Sequence, residues 1–319
     1  MLQRLQSPYI ALLAVFSLFL YALSITTSIP KERTPFRLAI NPWPGYEPLY
    51  LAQELGIFDS LALDVDIVEM SSLADIRRAF ERGRIDAMCC SLVEAVDAIE
   101  SGEIDGRIAM VTDFSDGGDA LLARADIASM QELKGKKVAV EPTALGRYIL
   151  HRALEIHGIR PSDILAVPME AVSMHDALAR GEVDAILTYP PFLDTTKGRL
   201  LFSSTELPGE IADVLIVSNK ALADPNLQTR LHAAWRGALL HMTETPEVSA
   251  ELMARREGMS PSEFQNSLST LRFVTADEQQ PVLRGATLAN TIRSVQSLIL
   301  PRDARGMPPE AFIYTTPER

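Results

Sequence analysis

Cysteine is nearly absent: in 319 residues it occurs twice, as the adjacent pair Cys89 and Cys90. Sequence neighbours seldom reach disulfide geometry, so the pair reads as two small hydrophobes in a buried strand rather than a redox or metal site. Histidine is scarce too, and His151, His157, His175, His232 and His241 show no ligand-type spacing. The chain has no GxSxG elbow, no HExxH pair, no phosphate loop of GK followed by Ser or Thr, and no CxxC. The common signatures of hydrolases, metalloproteases, nucleotide-binding and thiol-redox enzymes are therefore missing, and no cofactor is implied. Positive charge is also short. Thirty Lys and Arg face 42 Asp and Glu, a net charge of -12, with no basic run. That argues against nucleic acid and anionic membrane surfaces as partners. It favours a cationic or neutral ligand only weakly, because a local cluster of N–H groups holds an anion against the global field.

What the chain does have is apolar content, 47% of residues, enough for one large domain or two of medium size. Near the amino terminus Arg4 precedes an uncharged apolar run, Tyr9–Ile25, that ends in Ala22-Leu23-Ser24. This is the pattern of a secretory signal over residues 1–24; uncleaved, the run through residues 9–25 is long enough to act as an anchor. Both readings make the protein exported, with the periplasm as its compartment. No cysteine follows the run to carry a lipid.

The stretch Asn41–Gly56, NPWPGYEPLYLAQELG, organises the rest. Phe36–Ile40 before it reads as a strand, and Leu49, Leu51, Ala52 and Leu55 after it recur at helical spacing up to a capping Gly56. The loop between them carries Trp43, Tyr46 and Glu47. In an open α/β sheet, ligands collect beyond the carboxyl ends of strands, where helix N-termini offer free N–H groups. Two rings and a carboxylate there could wall a binding cavity, or the rings could simply pack the loop down.

A repeat follows. Asp75–Ser91, DIRRAFERGRIDAMCCS, matches Met174–Pro190, MHDALARGEVDAILTYP: a helix, a glycine stop, Ile or Val, Asp, Ala, and a buried strand. Two copies are too few for a solenoid and fit two similar lobes. Leu133–Val140 then helix Arg147–His157 repeats the opening strand–loop–helix, and Ile164–Val167 answers the strand at Leu63–Val68. Each lobe thus reads β-loop-α-β-α-β, an α/β layout. Ile108–Ala123, with Gly117 and Gly118 inside it, is the expected bridge, and Asp213–Val217 a return strand. Helices are expected at Leu227–Met242, Pro246–Glu257, Ser260–Leu271 and Thr287–Leu300, packing the first lobe, before an irregular Pro-rich tail. Asp86 and Asp184 look like turn devices at the starts of their strands.

The WPGYEPLYLAQELGIF opening, the GRIDA and GEVDA copies, DGGDALLAR, LKGKKVAVEP and the segment Ala234–Phe264 together resemble the periplasmic solute-binding proteins of ABC importers. The group they resemble binds nitrate, sulfonates, taurine and thiamine-pyrimidine precursors. The resemblance implies a two-lobed, type II-like periplasmic-binding-protein fold with two hinge crossovers and a ligand cleft between the lobes. The lobes would be residues 36–118 with 213–319, and residues 119–212. It implies that Trp43, Tyr46, Glu47, Ser91, Asp113, Thr143, Ala144, Leu145 and Tyr189 line the cleft.

The function so implied is delivery of a small solute to an ABC permease by a monomeric, non-enzymatic receptor. Two alternatives share the fold: a receptor for a membrane signalling protein such as a kinase or cyclase, and a pyrimidine-synthase-like enzyme. Carboxylates at Asp113, Asp116 and Glu47 beside two rings suit an organic amine or heterocycle better than a sulfonate or nitrate.

Overall fold

The structure is a computed structural model that describes residues 35–70, 73–301 and 303–315. The expected signal or anchor lies outside these residues, and no described helix is long and apolar enough to cross a membrane.

In chain order the first copy of the repeat is β1 (Phe36–Ile40), α1 (Glu47–Glu54), α2 (Ile57–Ser60), β2 (Val65–Glu69), α3 (Leu73–Glu81), β3 (Ala87–Ser91) and α4 (Leu92–Glu100). After β4 (Gly106–Ser115) and β5 (Ala120–Ala123), the second copy is β6 (Lys137–Val140), α5 (Ala144–Ile156), β7 (Leu165–Pro168), α6 (Ala171–Ala179) and β8 (Ala185–Thr188). Then come β9 (Arg199–Ser203), β10 (Ala212–Ser218), α7 (Leu227–Glu244), α8 (Pro246–Glu257), α9 (Pro261–Leu268), β11 (Leu271–Phe273), α10 (Gln279–Leu283) and α11 (Ala286–Ile299).

These strands form two mixed sheets, ordered β11-β4-β10-β3-β1-β2 and β7-β6-β8-β5-β9. The repeat is visible in register. Leu38 faces Ala87 across β1 and β3, as Val138 faces Ala185 across β6 and β8, both pairs parallel. Asp86 and Asp184 do matching work. The Arg37 N–H donates to the Asp86 carboxylate at 3.0 Å, and the Lys137 N–H donates to Asp184 at 2.9 Å. Each aspartate thus pins the start of the neighbouring strand, at the end remote from the strands' carboxyl termini.

Alternation along β3 sends consecutive side chains to opposite faces. Met88 and Cys90 join one core with Ile292 and Val295 of α11, while Ala87 and Cys89 join another with Trp235 of α7. The two thiols are free and buried on different faces, which explains why adjacent cysteines stay apart. In the second sheet, Val138 and Val140 pack on α5, and Ala139 and Ile186 on α6.

The chain crosses between the sheets twice, from Ser115 to Ala120 and from Ser203 to Ala212. The crossovers are tied together: the Ser115 and Ser204 hydroxyls lie 2.8 Å apart, and the Gly117 N–H donates to the Ser204 hydroxyl at 2.7 Å. Gly117 has φ +107, a conformation that L side chains rarely adopt.

Three expectations need correction. The helix expected over Ser260–Leu271 stops at Leu268, and Leu271 opens β11, which pairs with the end of β4. The tail expected to be irregular packs at Phe312, which is fully buried, and Ile313 bridges to Ile108. The edge strand β9, which carries no alternation, was not expected at all.

Candidate functional site: a carboxylate-lined cleft between two sheets

A cavity of about 360 Å³ opens between the two sheets, at the carboxyl ends of β1, β3, β6 and β8. The first sheet contributes Asn41, Trp43 and Tyr46 from the loop after β1, and Ser91 from the end of β3. The second contributes Thr143 and Leu145 at the start of α5, and Tyr189 just past β8. Six of the nine expected residues, Trp43, Tyr46, Ser91, Thr143, Leu145 and Tyr189, therefore meet around one cavity.

Local geometry explains their positions. Ser91 is the N-cap of α4, its hydroxyl accepting the Glu94 N–H at 3.2 Å. Thr143 caps α5 in the same way, accepting the Gly146 N–H at 3.0 Å. Each cap leaves an O–H to donate at the cavity wall. Trp43 and Tyr189 meet edge to face with ring centroids 6.3 Å apart, so one aromatic contact spans both sheets. The Tyr189 hydroxyl donates to Glu141 at 2.8 Å.

Three expected residues sit elsewhere. Asp113 lies beneath the loop and is fully buried: its carboxylate accepts from the Trp43 indole N–H at 3.3 Å and from the Thr112 hydroxyl at 2.9 Å. It fixes a wall residue without itself forming the wall. Ala144 borders an adjoining cavity of about 400 Å³ rather than the cleft. Glu47 turns away from both. As the first residue of α1 it is fully buried and its two oxygens accept from the Arg256 guanidinium, at 2.8 and 2.9 Å from Nε. Neighbouring Glu257 accepts the Trp43 N–H at 3.1 Å. Glu47 thus fastens α1 to α8, and the loop's sequence could not show it because the partner lies 209 positions away. Asp116, the other acid in the polarity argument, is exposed in the first crossover and is absent from the lining.

The structure adds acids that the sequence reading missed. Asp119 and Asp213 are buried in the wall, joined by Glu94, Glu141 and Glu170. The Tyr46 hydroxyl donates to Asp213. Among the described residues, neither lysine nor arginine lines the cavity.

Burial pushes the Asp113 carboxyl up to about 7 and Asp119 up to about 6. Asp213 is raised as well, by burial first and then by the charges of Asp113 and Asp119. Among the described residues no group of three or more His, Cys, Asp or Glu is arranged to hold a metal ion. Cys90 also reaches the wall, but burial and nearby Glu94 raise its thiol, the opposite of what a nucleophile needs.

Two α/β sheets joined by two crossovers around such a cleft define the periplasmic-binding-protein architecture. A periplasmic aliphatic sulphonate-binding protein from Escherichia coli superposes with a TM-score of 0.75 over 90% of this chain and 94% of its own, at 18% identity. Within that class, residues 43–249 match the family model described as NMT1/THI5 like, and the chain belongs to that family.

A candidate binding protein of Brucella abortus is 23% identical over 281 residues, 81% of this chain and 82% of its own. A 4-amino-5-hydroxymethyl-2-methylpyrimidine phosphate synthase of Saccharomyces cerevisiae is 25% identical over 155 residues, covering 48% of this chain and 45% of the yeast protein.

Proposed function

We propose that the protein is an extracytoplasmic solute receptor that closes two lobes on a small organic nitrogen compound and presents it to an ABC permease. The lobes are residues 36–118 with 213–319, and residues 119–212, moving about the crossovers at Ser115–Ala120 and Ser203–Ala212. The observation that carries the ligand class is the wall itself: three rings, five carboxylates and, among the described residues, no cation. Trp43 and Tyr189 offer apolar faces to a flat ring, and Asp119 and Asp213 accept from N–H donors or balance a cation. A ligand touching both walls stabilises the closed form by its differential contacts.

A pyrimidine bearing an exocyclic amine fits this chemistry and size, and the yeast relatives are named for making one. We read the chain as a receptor rather than a synthase because, among the described residues, the wall presents no histidine or lysine and one thiol, whose pKa burial raises.

A thermal-shift panel of 4-amino-5-hydroxymethyl-2-methylpyrimidine, polyamines, betaines, methanesulfonate, taurine and nitrate tests the reading. A ligand of the native state raises the midpoint in a concentration-dependent way. An amine or heterocycle is expected to do so; stabilisation by sulfonate or nitrate alone would overturn the ligand class.

A further inference from the structure

The start of α5 is a natural place for an anion: its first N–H groups have no partner within the helix, and the helix dipole is positive there. In this protein that place is already filled. The Glu94 side chain, on α4 of the first sheet, crosses the cleft and accepts the Leu145 N–H at 3.1 Å.

The contact is not a by-product of local structure. Ser91-x-x-Glu94 has the spacing of a capping box, in which the glutamate would turn back on its own N-cap. Ser91 does cap α4, yet Glu94 leaves that motif and spans the two sheets instead. Only 5% of Glu94 is exposed.

Behind it stands Arg77 of α3, whose guanidinium lies 3.6 Å from the other carboxylate oxygen and is also held by Asp97 at 3.2 Å. Glu94 and Thr143 border both the cleft and the adjoining cavity, and among the described residues only the adjoining one carries arginines, Arg77, Arg78 and Arg147, beside the acids Glu81, Asp97 and Glu103. Glu94 therefore stands between the acidic cleft and the Arg77 guanidinium behind it.

We propose that Glu94 is a specificity-determining residue: a tethered carboxylate that occupies the anion position at the start of α5 and so excludes free oxyanions from the cleft. This rests on the cleft being the ligand site, as proposed above. An oxyanion entering the cleft would have to displace Glu94 from the Leu145 N–H and face Asp119 and Asp213. A cation or N–H donor meets no such competition. The same bond latches the two sheets together when no anion is present.

The test is a titration of wild type, Glu94→Ala and Glu94→Gln with methanesulfonate and with inorganic sulfate, read by calorimetry and by the Leu145 amide resonance. Truncation to alanine removes the carboxylate and exposes both the Leu145 N–H and Arg77 Nη1 to one point. That variant is expected to bind methanesulfonate at least about tenfold tighter than wild type. The glutamine variant keeps an oxygen on the Leu145 N–H and is expected to bind the anions no better than wild type. An alanine variant that gains nothing overturns the proposal, and so does a wild type whose Leu145 amide shifts on adding methanesulfonate. The wild-type arm stands alone if truncation prevents folding. Running the amine panel on wild type in parallel separates the failures. Amine binding in wild type with no anion gain in the alanine variant removes only the role of Glu94; no amine binding at all removes the reading of the cleft.

Discussion

Asp113 and Asp213 stand directly opposite each other on the antiparallel strands β4 and β10, both buried under the loop that carries Trp43 and Tyr46. Each anchors one ring: the Trp43 indole donates to Asp113 and the Tyr46 hydroxyl to Asp213. With Asp119 they form a group of acids that burial keeps protonated well above the ordinary carboxylate range. Their folded values exceed the unfolded ones, so the folded state binds more protons between about pH 4 and 7. Stability from these groups is present at the acid end and is lost as pH rises through their folded values. Replacing Asp213 by Asn removes one ionisable member. The variant is expected to gain about 1–2 kcal/mol over the parent at pH 8 and much less at pH 5, as measured by thermal unfolding at both.

Ligand affinity should run the other way. A cationic ligand favours the ionised carboxylates, so binding draws protons off Asp119 and Asp213. Affinity for an amine is expected to rise between pH 5 and pH 8 and to level off above the folded values of the acids. Calorimetry in two buffers of different ionisation enthalpy will show net proton release. Affinity that falls across this range would contradict the cation reading.

Glu47 and Arg256 predict a stability effect separate from binding. The pair is buried and hydrogen-bonded, and removal of one partner leaves an uncompensated charge. Glu47→Ala is expected to cost about 3–5 kcal/mol in denaturant unfolding, moderated by the remaining contact of Arg256 with Glu69 at 3.0 Å. Glu47→Gln keeps two polar atoms near the guanidinium and should cost less.

Gly45 is required by close approach. A Cβ there would lie 2.1 Å from Asp113 Oδ2 and 2.5 Å from Trp43 Nε1. Gly45→Ala is therefore expected to break the Trp43–Asp113 bond and displace the indole. The readout is a change in tryptophan emission together with weakened ligand binding, while far-UV circular dichroism stays that of the parent.

The fold was legible because it is written locally and twice. Each copy of the repeat ends a helix with a glycine, Gly83 at φ +62 and Gly181 at φ +70, and then sets an aspartate that pins the neighbouring first strand of that copy. The cleft was partly legible: the loop after the first strand pointed to Trp43 because such loops face one end of a sheet, and the family resemblance added Ser91, Thr143 and Tyr189. Its electrostatics were not. Asp213 joins Asp113 through strand register across 100 positions, and no local pattern encodes such a pairing. Glu47 was misplaced for the same reason, since its arginine lies on α8. Glu94 did leave a signal, the Ser-x-x-Glu spacing, but that spacing points to a helix cap and not to a bond across the cleft.

The most direct test of the account is a calorimetric titration of the protein and its Trp43→Ala variant with 4-amino-5-hydroxymethyl-2-methylpyrimidine and, separately, with methanesulfonate. The account predicts saturable one-to-one binding of the amine-bearing heterocycle to wild type, weakened at least about tenfold in a Trp43→Ala variant that still shows a cooperative thermal transition. Saturable binding of methanesulfonate to wild type, with no response to the heterocycle, would contradict it.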